Sequence, residues 1–328
     1  MSAGETPAGP PLAVVVLAAG EGTRMRSRTH KVLHEVAGKP LLEHILAATR
    51  PLAPERTVVV VGYAGDAVRS RFAGRGLTFV TQDFTTGYGT GHALKESSKG
   101  LDGFAGNVLV LNGDGPLLTS ATLEALVDTL GDDDGMALLT CVATDPSGLG
   151  RIVRGEDGRL EAIVEEGDAT PEQRAIREVN PGVYLFGADV FGRAALLRAD
   201  NAANEYYITD LPKAYLADGR RVSTLLADER ELLGVNDRAQ LAVAERVMRQ
   251  RLRERWLRAG VTMLDPDTTY IDQDVELSGD VVLEQGVVLR GATHVGEGAR
   301  VGAYSVLTDA VVAPGEVTAP HTVRGPSC

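Results

Sequence analysis

Short, continuously apolar runs separated by stretches of helical spacing are the first pattern along the chain. The runs fall at 12–18, 57–61, 77–80, 107–111 and 136–142. Between them, 40–50, 65–73, 92–100 and 120–131 carry helical spacing or a capping residue. A strand that is apolar at every position must be buried on both faces. Its alternation with helices predicts an α/β domain, Rossmann-like, with a mostly parallel sheet covered on both sides. From Arg151 the pattern loosens, and 151–153 and 160–164 flank the Asp157-Gly158 turn as a hairpin would.

The segment 237–259 reads as a helix. Leu241, Val243, Ala244, Val247, Met248, Leu252 and Trp256 mark one face, and Gly260 stands where a C-terminal cap belongs. After it the period changes to six. Ile271, Leu277, Leu283, Leu289, Val295, Val301 and Leu307 recur at that interval, and Val275, Val281 and Val287 form a second, partial register. An antiparallel meander tolerates such spacing, but seven unbroken aliphatic positions favour a parallel β-helix, in which each hexad supplies one side of a coil. Pro314, Pro320 and Pro326 then read as a capping tail. The expected organisation is a flexible tail at 1–11, an α/β domain at 12–236, a linker helix at 237–262 and a short β-helix with its tail at 263–328.

Composition narrows the class. The 328 residues carry 33 Lys+Arg against 45 Asp+Glu, a formal net charge of −12. An anionic chain gains neither counterion release from nucleic acid nor attraction to an anionic bilayer, so neither is an expected partner. Two cysteines cannot build a disulfide framework. No apolar run approaches the ~20 residues that cross a bilayer. The run at 12–19 lacks the basic flank of a signal peptide, because the first cation is Arg24. A cytoplasmic location is the expectation. Asp132-Asp133-Asp134 is expected to be a solvated loop and Cys141 a small core residue.

The candidate chemistry begins where the first strand ends, at Leu17-Ala18-Ala19-Gly20-Glu21-Gly22-Thr23-Arg24-Met25. Glycines directly after a buried strand let backbone N–H groups approach a ligand. A dinucleotide fingerprint would need a third glycine where Met25 stands, and no Gly-Lys-Ser/Thr follows for a Walker loop. Arg24, Arg26, Arg28 and Lys31 follow without an acid between Glu21 and Glu35. Within so acidic a chain, that run favours a polyphosphate. A second signal is Asp114, which follows the strand at 107–111. It stands either in the crevice where α/β sheets bind ligands, as a Mg²⁺ ligand, or as a turn residue capping the chain from Leu117.

Taken together, the segments 17–25, 31–34, 89–93, 113–114, 150–152, 164–165, 205–210 and 234–236 resemble the sugar nucleotidyltransferases. The likeness is strongest to the uridylyltransferase half of the bacterial bifunctional N-acetylglucosamine-1-phosphate uridylyltransferase/glucosamine-1-phosphate acetyltransferase family. It covers about 12–307, and implies a nucleotidyltransferase domain followed by a left-handed β-helix. It further implies that Leu17, Ala18, Ala19, Gly20, Gly22, Thr23 and Arg24 hold UTP with Lys31 on its phosphates. Gln82, Gly89 and Thr90 would read uracil, and Asp114 and Asn236 would bind Mg²⁺. Gly150, Glu165 and Asn180 would hold a sugar 1-phosphate above a wall formed by 205–210. Arg24, Lys31 and Asp114 would carry the catalysis. Through its β-helix the family also forms homotrimers, an assembly the resemblance allows here.

Several positions depart from the family pattern. The loop 83–88 between Gln82 and Gly89 is longer, Asn112 replaces a tyrosine of some members, Pro181 follows Asn180 in place of threonine, and Gly167 stands where lysine is frequent. The six-residue register covers only 271–307, and the histidine, lysines and asparagines that the family uses for acetyl transfer have no counterparts. His294 and His321 read as edge and tail positions, so no acetyltransferase activity is expected. Two other classes compete with the enzyme reading. A dinucleotide oxidoreductase fails on Met25, and a non-catalytic assembly subunit is disfavoured by the joint presence of Lys31, Asp114 and Asn236.

Overall fold

The computed structural model describes residues 9–62, 64–131 and 133–326. Residues 1–8 of the expected tail, together with Asp132 and Cys328, lie outside them. The chain forms two compact units, one made of residues up to Leu33 with 41–237, the other of 34–40 with the residues from Arg238 onward.

The first unit is built on a ten-stranded sheet. Its strands are β1 (Leu12–Ala18), β2 (Arg56–Val61), β3 (Thr78–Thr81), β4 (Asn107–Asn112), β5 (Asp134–Val142), β6 (Gly150–Arg154), β7 (Leu160–Val164), β8 (Glu178–Asn180), β9 (Val183–Phe186) and β10 (Arg221–Leu226). They lie in the order β3-β2-β1-β4-β9-β5-β8-β6-β7, and β10 pairs with β5. Strands β3, β2, β1 and β4 are mutually parallel, as the continuous apolar runs predict. Strand β9 runs antiparallel to both β4 and β5 and makes the sheet mixed. Only four residues long and without alternation, it went unmarked in the sequence pattern although Pro181-Gly182 and Gly187 bound it.

The two-residue period of a strand sorts the apolar side chains into two layers. Ala13, Val15, Val58, Val60, Val108, Val110, Met136 and Leu138 share one core with Phe186 and Tyr215. Their neighbours Val14, Val16, Val59, Val61, Leu109, Leu111, Ala137 and Leu139 point the other way into a second core. That second layer is closed by α1 (Leu41–Thr49) through Leu42 and Ile45, and by the helix at Ser120–Thr129 through Leu123 and Leu126. Two further helices, α2 (Asp66–Arg71) and α3 (Thr90–Ser97), precede α4 (Ser120–Thr129). The N-terminus of α4 is capped by Thr119, whose hydroxyl accepts from the Thr122 N–H at 3.3 Å.

Cys141 is buried as expected, and burial pushes its thiol up to about 11. Asp134 corrects the expectation of a solvated acidic loop. It is buried, accepts from the Gly131 N–H and from Ser223 Oγ at 2.7 Å, and pairs with Arg221, so it closes the start of β5.

In the second unit, helix α5 (Arg238–Arg258) buries a narrow stripe of Ala244, Met248, Leu252 and Trp256. The expected face is broader than the observed one, because Val243 is exposed. Gly260 adopts φ +92°, the left-handed conformation that ends a helix. The helix expected as a linker groups with this unit, and so does the hairpin of Glu35–Val36 with Lys39–Pro40. The Ala37 N–H donates to Glu245 Oε2 at 2.7 Å, Lys39 pairs with Asp274, and the Gln273 N–H donates to Ala37 O.

The remaining short strands all pair in parallel, in three sheets, consistent with a β-helix. Tyr270 pairs with Val288 and Val288 with Val306, each step eighteen residues, or three sides of six. Every aliphatic member of the six-residue register from Ile271 to Leu307 is buried. The second register proves complete, since Thr293, Ala299 and Ser305 continue Val275, Val281 and Val287 inside. Its polar members are satisfied by backbone carbonyls, Thr293 Oγ1 donating to Arg290 O at 2.6 Å and Ser305 Oγ to Gly302 O at 2.7 Å. The last steps shorten by one residue, Val306 to Val323 and His294 to Val311, which is why the hexad lapses after Leu307.

Trp256, the single tryptophan, belongs to the same apolar cluster as the β-helix interior. Leu289→Ala should therefore lower the stability of this unit by about 2–5 kcal/mol in urea titrations followed by tryptophan fluorescence. Val323→Ala, at a residue 78% exposed, should leave the midpoint within experimental error.

Candidate active site

The chain runs outward from β1 through β2 to β3, then returns to place β4 on the other side of β1. Between the carboxyl ends of β1 and β4, the switch point of the sheet, lies a cleft of about 260 Å³. Leu17, Ala18, Ala19 and Gly20 form one side of it. Lys31, Asp114, Gln82, Gly89 and Thr90 also line it. Nine of the residues anticipated from the sequence thus meet in one place.

Lys31 reaches the cleft because Gly22 has no side chain. Gly22 adopts φ +62°, and a Cβ there would come within 2.8 Å of Lys31 Cβ. Val32, buried in the core beside β1, anchors the short turn that carries Lys31. Opposite it, the Gly113 N–H donates to Leu17 O at 2.9 Å and fixes the exit of β4. The Val235 N–H donates to Asp114 O at 2.9 Å and draws the 234–236 segment alongside. Lys31 Nζ then donates to Asp114 Oδ2 and, at 3.2 Å, to Asn236 Oδ1. Asp114 does not cap the next helix, because α4 starts only at Ser120 behind its own Thr119 cap.

One cation already bridges a carboxylate oxygen and an amide oxygen at this point. Two hard oxygen donors converging on one positive charge fit a divalent ion such as Mg²⁺, which takes few protein ligands and completes its shell with phosphate and water. Among the described residues no group of three His, Cys, Asp or Glu side chains could hold a metal.

Gly22, Thr23 and Arg24 lie on the loop beside the cleft rather than in its lining. Met25, at the position that excluded a dinucleotide fingerprint, is buried and pins the loop to the domain. Arg24, Arg26 and Arg28 are exposed, and none forms an ion pair with another described residue. Their charge is therefore available to an anion.

The long loop after Gln82 does not separate it from Gly89. The Asp83 carboxylate accepts from the Thr85 N–H and hydroxyl, the loop folds back, and Gln82 Nε2 donates to Gly89 O at 3.2 Å. Gly89 adopts φ +99°, and a Cβ there would stand 2.6 Å from Tyr206 O. The Gly91 N–H donates to Tyr206 O, the Tyr206 N–H to Tyr88 O, and the Ile208 N–H to Thr90 Oγ1. Segment 205–210 is thus clamped to the Gly89–Thr90 turn, and Glu205 lines the cleft.

Gly150, Glu165 and Asn180 form a separate cluster outside the lining. Gly150 pairs with Asn180 in the sheet, and a Cβ on Gly150 would touch Glu165 Oε2 at 3.5 Å. Glu165 Oε1 accepts from Thr209 Oγ1 at 2.8 Å, and burial raises its pKa. Asn180 Nδ2 donates to the Tyr184 hydroxyl at 2.7 Å, and its Oδ1 accepts from the Gly182 N–H. Gly182 in turn packs against Asn112, a cleft residue. Phe84 and Tyr88, with ring centroids 5.2 Å apart, also face the cleft and were not anticipated. Two aromatics within the unusually long 83–88 loop were the available signal.

No helix among the described residues is long and apolar enough to cross a membrane. Residues 14–208 match the family of MobA-like NTP transferase domains. The bifunctional protein GlmU of one Thermus thermophilus strain is 48% identical over 309 residues, covering 94% of this chain and 68% of the relative. That of Thermobifida fusca is 45% identical, with 95% and 66% covered. The chain thus spans about two thirds of the length of these relatives. A Bacillus anthracis crystal structure, provisionally described as a glucose-1-phosphate thymidylyltransferase, shares the fold with a TM-score of 0.57 at 19% identity, covering 72% of this chain and 94% of that one. The domain match over 14–208 and 48% identity along nearly the whole chain lead to one assignment: the chain belongs to the GlmU family, as a nucleotidyltransferase of the sugar-1-phosphate type.

Proposed function

We propose that the chain transfers UMP from UTP to N-acetylglucosamine 1-phosphate, with Mg²⁺, giving UDP-N-acetylglucosamine and pyrophosphate. The observation that carries this reading is the convergence of Lys31, Asp114 and Asn236 at the mouth of the cleft, beside the glycine loop. A phosphate oxygen of the sugar 1-phosphate forms a bond to the α-phosphorus of UTP. The bond from that phosphorus to the bridging oxygen breaks, and pyrophosphate leaves with the electron pair. The nucleophile is already ionised near neutral pH, so no general base is required. Rate comes from positioning and from meeting the charge that develops on the phosphoryl oxygens.

The Lys31 ammonium supplies that charge at the α-phosphate, and Arg24 on the loop supplies it toward the β- and γ-phosphates. Asp114 and Asn236 would hold the metal ion, which neutralises phosphate charge when bound. Ala18 through Thr23 hold the triphosphate through backbone N–H groups. The sugar lies over Gly150, Glu165 and Asn180, with 205–210 as its floor.

Pyrophosphate release from UTP, Mg²⁺ and N-acetylglucosamine 1-phosphate is the direct test. Absence of release with every sugar 1-phosphate and every nucleoside triphosphate would refute the reading. Release with glucose 1-phosphate alone would keep the reaction and change the sugar. Lys31→Ala and Asp114→Ala should each lower kcat by about 10²–10³ while circular dichroism is unchanged. Glu165 also makes a pH prediction. Burial holds its pKa above that of an exposed glutamate, so the ionised form that accepts sugar hydroxyl hydrogens is lost early as pH falls. KM for the sugar 1-phosphate should rise on the acid side, and Glu165→Gln should flatten that rise.

A further inference from the structure

Gln82 is buried at the floor of the cleft, and its amide has two orientations of opposite meaning. One presents an oxygen to a bound base, the other an NH₂ group. Shape does not distinguish them, but hydrogen bonding does.

One end of the amide lies 3.2 Å from Gly89 O. A carbonyl can only accept, so the group there is the NH₂. The same Nε2 lies 3.2 Å from His92 Nδ1. With a donor already facing it, that ring nitrogen must be an unprotonated acceptor, and the proton of the neutral ring sits on Nε2. Nε2 meets Thr86 Oγ1 at 3.2 Å, and the Thr86 hydroxyl spends its own hydrogen on Asp83 O at 2.9 Å. Its oxygen is therefore an acceptor toward the ring. Every link has one allowed direction: Gln82 NH₂ to His92 Nδ1, His92 Nε2–H to Thr86, Thr86 to the backbone.

The ring is held in this pose from several sides. A Cβ on Gly87 would stand 2.5 Å from His92 Cδ2, and the Tyr206 ring lies 5.9 Å away, centroid to centroid. Burial lowers the ring's pKa and keeps it neutral. Glu96, 4.0 Å from Nε2, and Asp83 act in the opposite sense, while Lys95 and Lys99 reinforce the lowering.

We propose that His92 is a positioning residue that locks the Gln82 amide with its oxygen toward the cleft, and so selects a base with an N–H donor at its pairing edge. This rests on the uridylyltransferase reading. The N3 position of uracil carries a hydrogen, whereas the N3 of cytosine is an acceptor. An oxygen at Gln82 suits the first, and a flipped amide suits the second. The 83–88 loop supplies both Asp83 and Thr86 to this relay.

The test is the ratio of kcat/KM for UTP over CTP, with the same ratio of affinities measured by calorimetry. His92→Leu removes the acceptor and should lower the ratio by about tenfold, the worth of one hydrogen bond. His92→Asn can place Oδ1 near the position of the ring Nδ1 and should keep the ratio near that of the unaltered protein. Thr86→Val removes the acceptor that fixes the tautomer and should lower the ratio in the same direction. It carries the test if His92→Leu does not fold. An unchanged ratio in His92→Leu and Thr86→Val would overturn the proposal, as would equal losses in His92→Asn and His92→Leu. If the unaltered protein releases no pyrophosphate from UTP, the uridylyltransferase reading falls. The calorimetric ratio in the same variants still decides the role of His92.

Discussion

The burial of Ala13–Val16 on both faces of β1 is the constraint from which the site follows. This strand is hydrogen-bonded on both sides, to β2 and to β4, and covered on both faces. A slip of one residue would exchange its two faces and drive Val14 and Val16 into the wrong core. With the register pinned this strongly, the backbone that leaves Ala18 is delivered to a fixed position beside the exit of β4. The glycine loop, Lys31 and Asp114 inherit their geometry from it. Precision at the cleft is thus a property of the hydrophobic layers beneath, and the polar residues need little machinery of their own.

The site also depends on a local reversal of charge. The chain is strongly acidic, yet Arg24, Arg26, Arg28 and Lys31 crowd one loop. Among the described residues, Lys31 alone of these is engaged, through Asp114 and Asn236. A polyanion therefore meets an acidic chain overall but a concentration of cations at the carboxyl end of β1. The side proposed for the sugar has the opposite character, with burial raising the pKa of Glu165, which lies outside the cleft lining, and of Glu205 and Asp210 on the 205–210 segment. Neutral hydroxyls suit that side and phosphates the other.

Much of this was legible in the sequence for identifiable reasons. Strands buried on both faces leave continuous aliphatic runs, and all five expected runs became strands of the first sheet. The six-residue period announced the coils, because each turn repeats the same burial. What stayed hidden was either short or indirect. β9 has only four residues, and no local signal says that it will insert between β4 and β5. Thr293 and Ser305 broke the aliphatic register on paper, while in the structure their hydroxyls satisfy the backbone inside the coil. Phe84 and Tyr88 face the cleft from a loop whose fold depends on the Asp83 cap and not on periodicity. Glu165 and Asn180 were placed by resemblance alone, since their partners, Thr209 for the one and Tyr184 and the paired Gly150 for the other, are fixed by strand pairing and leave no periodic mark in the sequence.

The hairpin at 35–40 has a consequence for the order in which the molecule can be made. Its partners Glu245 and Asp274 lie more than two hundred residues further along the chain. At a synthesis rate of about 5–20 residues per second, this short segment waits roughly 10–40 s on the ribosome before the carboxylates that hold it exist. The flanking residues, which belong to the first unit, are by then free to fold. A cut after residue 237 would make that wait permanent, so the two units are each compact but are not separable by a single break in the chain.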